Sequence, residues 1–106
     1  MSDERELIQT KRRRGNMLKF IRQGHEAQLD RMDDFEMGVM MQKIGANMST
    51  RQTLTMLQDL QVLGYVTFKQ FFSNEKERYI AEEIMLTASG LALVIRRKDN
   101  DEVLFD

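Results

Sequence analysis

At Gly64 the spacing of apolar residues changes, and that change constrains the fold more than any other feature of the chain. Before it, apolar residues recur three and four apart, the spacing of one helix face. After it come Tyr65, Val66, Thr67 and Phe68, then Phe71 and Phe72, a run of β-formers. With 106 residues there is room for one domain, so both halves must share one core. The expectation is an α+β fold with helices first and a hairpin after them.

Leu18 and Ile21, with Leu7, Arg14 and Met17 along the same edge, predict a first helix over 6–23, stopped by Gly24. Gly15 weakens its middle, which allows a start as late as Arg12. The four bases from Lys11 to Arg14 advance about 100° each, so they cannot share a face, and Arg14 packs its stem along the core edge. Residues 25–32 read as a connector with a short extended piece near Leu29. Asp33 and Glu36 then form a capping pair for a second helix over 34–43, with Phe35, Val39, Met40 and Met41 as its apolar face. Ile44 closes that face and Gly45 ends it.

Ser49 and Gln52 repeat the capping logic for a third helix ending before Gly64. Thr53, Met56, Leu57, Leu60 and Leu63 gather on its packing side; Arg51, Thr55, Gln58 and Val62 lie opposite, flanked by Leu54. A β-hairpin follows, with its tip at 73–77 and its second strand over 79–86. Residues 87–90 interrupt it, and a last helix spans 91–97. Phe71 and Phe72 are adjacent, so in a strand they face opposite ways. One enters the core; the other needs a neighbour, either a partner subunit or the C-terminal segment. Met40, Met41, Met48 and Met56 fall at or near core positions and read as gap-filling packing.

Composition removes several functions. Without cysteine there is no disulfide framework, thiolate nucleophile or cysteine zinc site. The start, MSDERELIQT, lacks the apolar core of a signal peptide, and no apolar run approaches a membrane span. The chain reads as a soluble, cytoplasmic protein. His25 is the only histidine and has no evident group to orient it for proton transfer. Asp30, Asp33, Asp34 and Glu36 resemble a metal cluster, but Asp33 and Glu36 are better used as a helix cap. Asp99, Asp101 and Glu102 lack the glycine and distal glutamate of a calcium loop. No phosphate-cradling glycine loop or serine–histidine pairing is present. The expectation is therefore no enzyme, no cofactor and no metal.

The net charge of −1 hides an uneven distribution. Residues 11–22 hold six bases and no acid, whereas 99–106 holds four acids and no base. A partner responds to local potential within about 10 Å, so the neutral total says little.

Three helices followed by a hairpin is the order of a winged helix–turn–helix domain. The stretch STRQTLTMLQDLQVLGYV, 49–66, resembles the third helix of winged-helix regulators, where a capped helix with two leucines three apart runs into a glycine and a strand. The piece IMLTASGLALV, 84–94, resembles their strand exit, in which Leu-Thr-x-x-Gly follows the wing and starts a final helix. The resemblance covers roughly residues 12–97. It points to the MarR- and ArsR-like regulators, and in particular to the small winged-helix regulators of Mu-like prophages. It implies a domain over 1–98 with a three-helix core, a two-stranded wing and a C-terminal helix, and an acidic tail over 99–106.

The resemblance also implies a transcriptional regulator that binds double-stranded DNA with its third helix in the major groove. That helix offers Thr50, Arg51, Gln52, Thr55 and Gln58: Arg51 to anchor on guanine, Gln58 or Gln52 to read adenine, the threonines to meet phosphate or a thymine methyl. Lys69, Lys76 and Arg78 on the wing reach the backbone or a neighbouring groove. Arg12 and Arg13, with Lys11, Arg14, Lys19 and Arg22, add phosphate contacts that carry no sequence information. A homodimer through the terminal helices is implied, and Leu7, Ile8, Val103, Leu104 and Phe105 are spare apolar groups at the two ends. A second reading stays open. The third helix holds one base and one acid, and exposed Leu54 and Val62 suit a protein-interaction module that does not bind DNA. The acidic tail is an arm folding back on its own domain, or a shield over the basic first helix.

Overall fold

Without proline to interrupt it, the first helix, α1, runs unbroken over Asp3–Glu26. That is longer at both ends than the spacing predicts. Asp3, Glu4 and Glu6 occupy its first turn, where the helix dipole favours acids, and support a start well before Arg12. Gly24 is buried inside the last turn instead of ending it, so His25 is helical and not part of a connector. The computed structural model describes residues 3–27 and 31–105. The extended piece expected near Leu29 lies outside the described residues.

Within them the chain is α+β: α1, then α2 (Asp34–Lys43), α3 (Thr50–Val62), β1 (Val66–Ser73), β2 (Arg78–Leu86) and α4 (Ala88–Val94). No described helix is long and apolar enough to cross a membrane.

The N-cap of α2 forms as the sequence predicts, the Asp33 carboxylate accepting the Glu36 N–H at 2.8 Å, but the Glu36 side chain makes no return bond. Its inner face differs from the expectation. Met37 and Met41 are buried, together with Asp34, whereas Phe35, Val39 and Ile44 are exposed. Apolar side chains surround this short helix, so spacing alone did not identify the buried stripe. In α3 the full capping box is present: Ser49 Oγ accepts from Gln52 N at 3.0 Å, and Gln52 Oε1 accepts from Ser49 N at 2.9 Å. Thr53, Met56, Leu57 and Leu60 are buried as expected. Leu54 is corrected: it is half-buried against the core rather than presented to a partner.

Strands β1 and β2 pair antiparallel, with Val66 opposite Leu86 and Ser73 opposite Arg78. The register slips by one residue between Thr67 and Lys69, and Glu83 sits at the slip with φ +54. This bulge turns both Ala81 and Ile84, an odd and an even residue, into the core. It costs about 1 kcal/mol of backbone strain at Glu83. Neither Phe71 nor Phe72 enters the core. Both are exposed on the hairpin, where Phe72 packs edge-to-face on Tyr79, ring centroids 5.2 Å apart.

The last helix starts three residues earlier than 91. Thr87 caps it, its Oγ1 accepting from Gly90 N at 3.0 Å and donating to Gly64 O at 2.6 Å. What reads as an interruption is the helix's first turn. Gly90 is required there, because a Cβ would lie 2.1 Å from the Tyr65 carbonyl oxygen.

One core gathers Met17, Leu18 and Ile21 of α1, Met37 and Met41 of α2, Leu57 and Leu60 of α3, Val66, Ile84 and Leu93. Leu7, expected along that edge, is exposed on the protruding start of α1. The acidic tail folds back on its own domain. Val103 is buried, Leu104 N donates to Lys11 O at 3.1 Å, and Arg96 stacks over the Phe105 ring at 4.6 Å. The tail backbone passes so close to α1 that a Cβ on Gly15 would lie 2.0 Å from Leu104 O. Gly15 therefore admits the tail instead of breaking the helix.

Candidate functional site

The capping box fixes where α3 begins and which of its side chains face solvent. Thr50, Arg51 and Thr55 are exposed there, with Gln52 held by its role in the cap. Arg51 lies in the first turn of α3, where the helix dipole disfavours a cation. Its position therefore contributes nothing to helix stability. A groove between α1 and α3 is lined by Arg13, Arg51, Gln52 and Thr55, with Asp59 at its margin. Neither Arg13 nor Arg51 forms an ion pair among the described residues.

The six bases of 11–22 thus separate by face. Arg14 turns away from solvent, 14% exposed, with Nη1 3.1 Å from a Glu102 carboxylate oxygen and Nη2 3.8 Å from Asp59. Lys11 lies against the tail. Arg12 is exposed, and Arg13 borders the α3 groove. Arg22 pairs with Glu26 one turn on, at 2.9 Å.

Other candidates take different roles. Gln58 is half-buried and donates from Nε2 to Gln70 Oε1 at 2.9 Å, tying α3 to β1 instead of standing free to read a base. Arg78, expected on the wing surface, reaches back to α2. Its Nη1 lies 2.7 Å from Asp34 Oδ2, and Asp34 is 2% exposed. A buried carboxylate needs that partner, so Arg78 holds the hairpin against α2. Lys69 forms an ion pair with Glu83 at 2.8 Å. The hydrogen bond and charge of each raise the Lys69 pKa and lower that of Glu83. Lys76 remains exposed in the hairpin turn, between Glu75 and Glu77. The hairpin is therefore close to charge-balanced, and the α1–α3 groove is bordered by Arg13 and Arg51, two cations without a carboxylate partner among the described residues.

Neither Asp34 as a buried anion nor Arg14 as the link between tail and α3 is legible in the sequence. Each depends on a partner distant along the chain: Asp34 and Arg78 are 44 residues apart, Arg14 and Glu102 88. No protein-family model matches this chain, and neither a curated protein nor a solved structure matches it.

Proposed function

We propose that this chain is a winged-helix domain that binds double-stranded DNA as a transcriptional regulator, with α3 entering the major groove. One observation carries the reading: two guanidinium groups without acidic partners among the described residues, Arg13 and Arg51, border one groove at the capped end of α3. A planar guanidinium suits phosphate and guanine edges alike. Arg51, on the helix that enters the groove, reads bases together with Thr50 and Thr55, and Arg13 meets phosphate from α1. The hairpin beyond the core serves as the wing, with Lys76 as its backbone contact. Gln58 and Arg78 act as braces that set α3 and the wing, not as readers.

A homodimer would use the protruding first turns of α1, where Leu7 and Ile8 are exposed, because Val103 and Phe105 are engaged within the chain. This reading supports a cytoplasmic protein without a cofactor. The module that binds protein through Leu54 and Val62 loses half of its surface, since Leu54 packs on the core.

Affinity of Arg13→Ala and Arg51→Ala for duplex fragments tests the reading. Each variant is expected to bind about tenfold or more weakly, Arg51→Ala with relaxed sequence preference and Arg13→Ala uniformly across sequences. Wild-type affinity in both would overturn it.

A further inference from the structure

The first turns of α1 stand clear of the core: residues 3–9 are exposed all round the helix. Helix without packing is marginal in water over so short a span, and Leu7 and Ile8 lie within it, 50% and 45% exposed. Charges of opposite sign stand four residues before and after them. Asp3, Leu7 and Lys11 form one stripe of acid, apolar group and base; Glu4, Ile8 and Arg12 form a second beside it. None of the four charged residues has an opposite charge three or four positions away in its own helix. Asp3, Glu4 and Lys11 form no ion pair among the described residues. The helix dipole accounts for acids in the first turn, but not for the apolar pair or for the bases beyond it.

Such a pattern complements itself when reversed. In an antiparallel pair of α1 helices with the two-fold axis between Leu7 and Ile8, Leu7 meets the partner's Ile8. Glu4 then faces the partner's Lys11, and Asp3 faces the partner's Arg12. A parallel pair would set each acid against its own copy. At about 100° per residue, Arg13 lies on the side of α1 opposite the Leu7–Ile8 midpoint, so the groove it shares with Arg51 stays open in the pair. The tail meets α1 at Lys11 and Gly15, and exposed Leu104 closes the inner end of the apolar strip.

We propose that α1 docks on the α1 of a second copy, antiparallel across residues 3–12, with Leu7 and Ile8 at the centre and acid–base pairs on both sides. This gives a direction and a register to the homodimer of the proposed function. It rests on that part of the reading and not on contact with DNA.

Sedimentation equilibrium of the full chain, without DNA, tests it. The wild-type chain is expected to self-associate with a dissociation constant of about 10–100 µM that weakens as salt rises. Ile8→Glu should weaken the dimer at least about tenfold. Glu4→Lys sets a lysine against the partner's Lys11 and should weaken it about as much. Adding Lys11→Glu to Glu4→Lys reverses both charges, and should restore association to within about threefold of wild type. Circular dichroism of each variant reports whether it folds, so loss of the dimer is distinguished from loss of structure. A monomer up to about 1 mM, a dimer indifferent to Ile8→Glu, or a double variant no tighter than Glu4→Lys alone would each overturn the proposal. Because no DNA is present, none of these results bears on the α1–α3 groove, whose own variants test the DNA reading.

Discussion

Arg78 illustrates how a residue's role is set by a contact that its neighbours in sequence do not reveal. Beside Glu77 and Tyr79 in a hairpin it reads as a wing cation; folded, its guanidinium is the partner of a carboxylate buried on α2. Removing one member of such a pair leaves an uncompensated buried charge. Arg78→Ala is accordingly expected to lower stability by about 3 kcal/mol in urea unfolding. An unchanged midpoint would show that Asp34 does not need the pair. Arg51 was legible from sequence because a helix wheel separates solvent from core without reference to any other element. Gln58 reads as exposed on the same wheel, but it is half-buried and bonds to Gln70, which lies on β1 across a turn.

At the scale of elements, local signals located most ends and long-range contacts corrected the rest. The caps at Asp33 and Ser49 involve residues three apart, so the sequence displays them. Thr87 follows the same logic but stands directly after a strand, which disguised the start of α4. Gly15 was read by its helix propensity, whereas its position is set by the tail crossing above it. Gly15→Ala should leave α1 intact and displace the tail. The measurement is hydrogen exchange at Leu104, whose N–H now bonds to Lys11 O and should exchange freely in the variant. Retained protection would contradict the close approach.

The bulge at Glu83 was not legible, because a register slip breaks the alternation by which strands are recognised. Its side chain bonds to Lys69, which holds the Glu83 pKa below the ordinary 4.5. The pair therefore stabilises the hairpin above the unfolded-state pKa, and that contribution is lost as pH falls through the lower folded value. An NMR titration should place the Glu83 midpoint below 4.5 and return it there in Lys69→Gln. A midpoint insensitive to Lys69 would exclude the pair in solution.

Across the whole molecule, the division into helices and hairpin was legible because it follows from periodicity, and one core can join them in few ways. The site was legible only in outline. Residues 11–22 hold six bases and no acid in sequence, yet folding assigns Arg14 and Lys11 to the tail and brings Arg13 to the groove that Arg51 lines. The hairpin, whose three bases resembled a cationic wing, loses Arg78 to α2 and Lys69 to Glu83. Two guanidinium groups thus border one groove while the net charge of the chain is −1. A surface of this kind should bind duplex DNA through few phosphate contacts, with moderate affinity and a shallow salt dependence.

The central measurement is fluorescence anisotropy of the wild-type chain with mixed genomic duplex fragments, titrated at several salt concentrations. Binding at low salt is expected, with log affinity falling linearly against log salt at a slope near −2 to −4, consistent with a few released counterions. No binding at the lowest salt, or affinity indifferent to salt, would contradict a DNA-binding role for the α1–α3 groove.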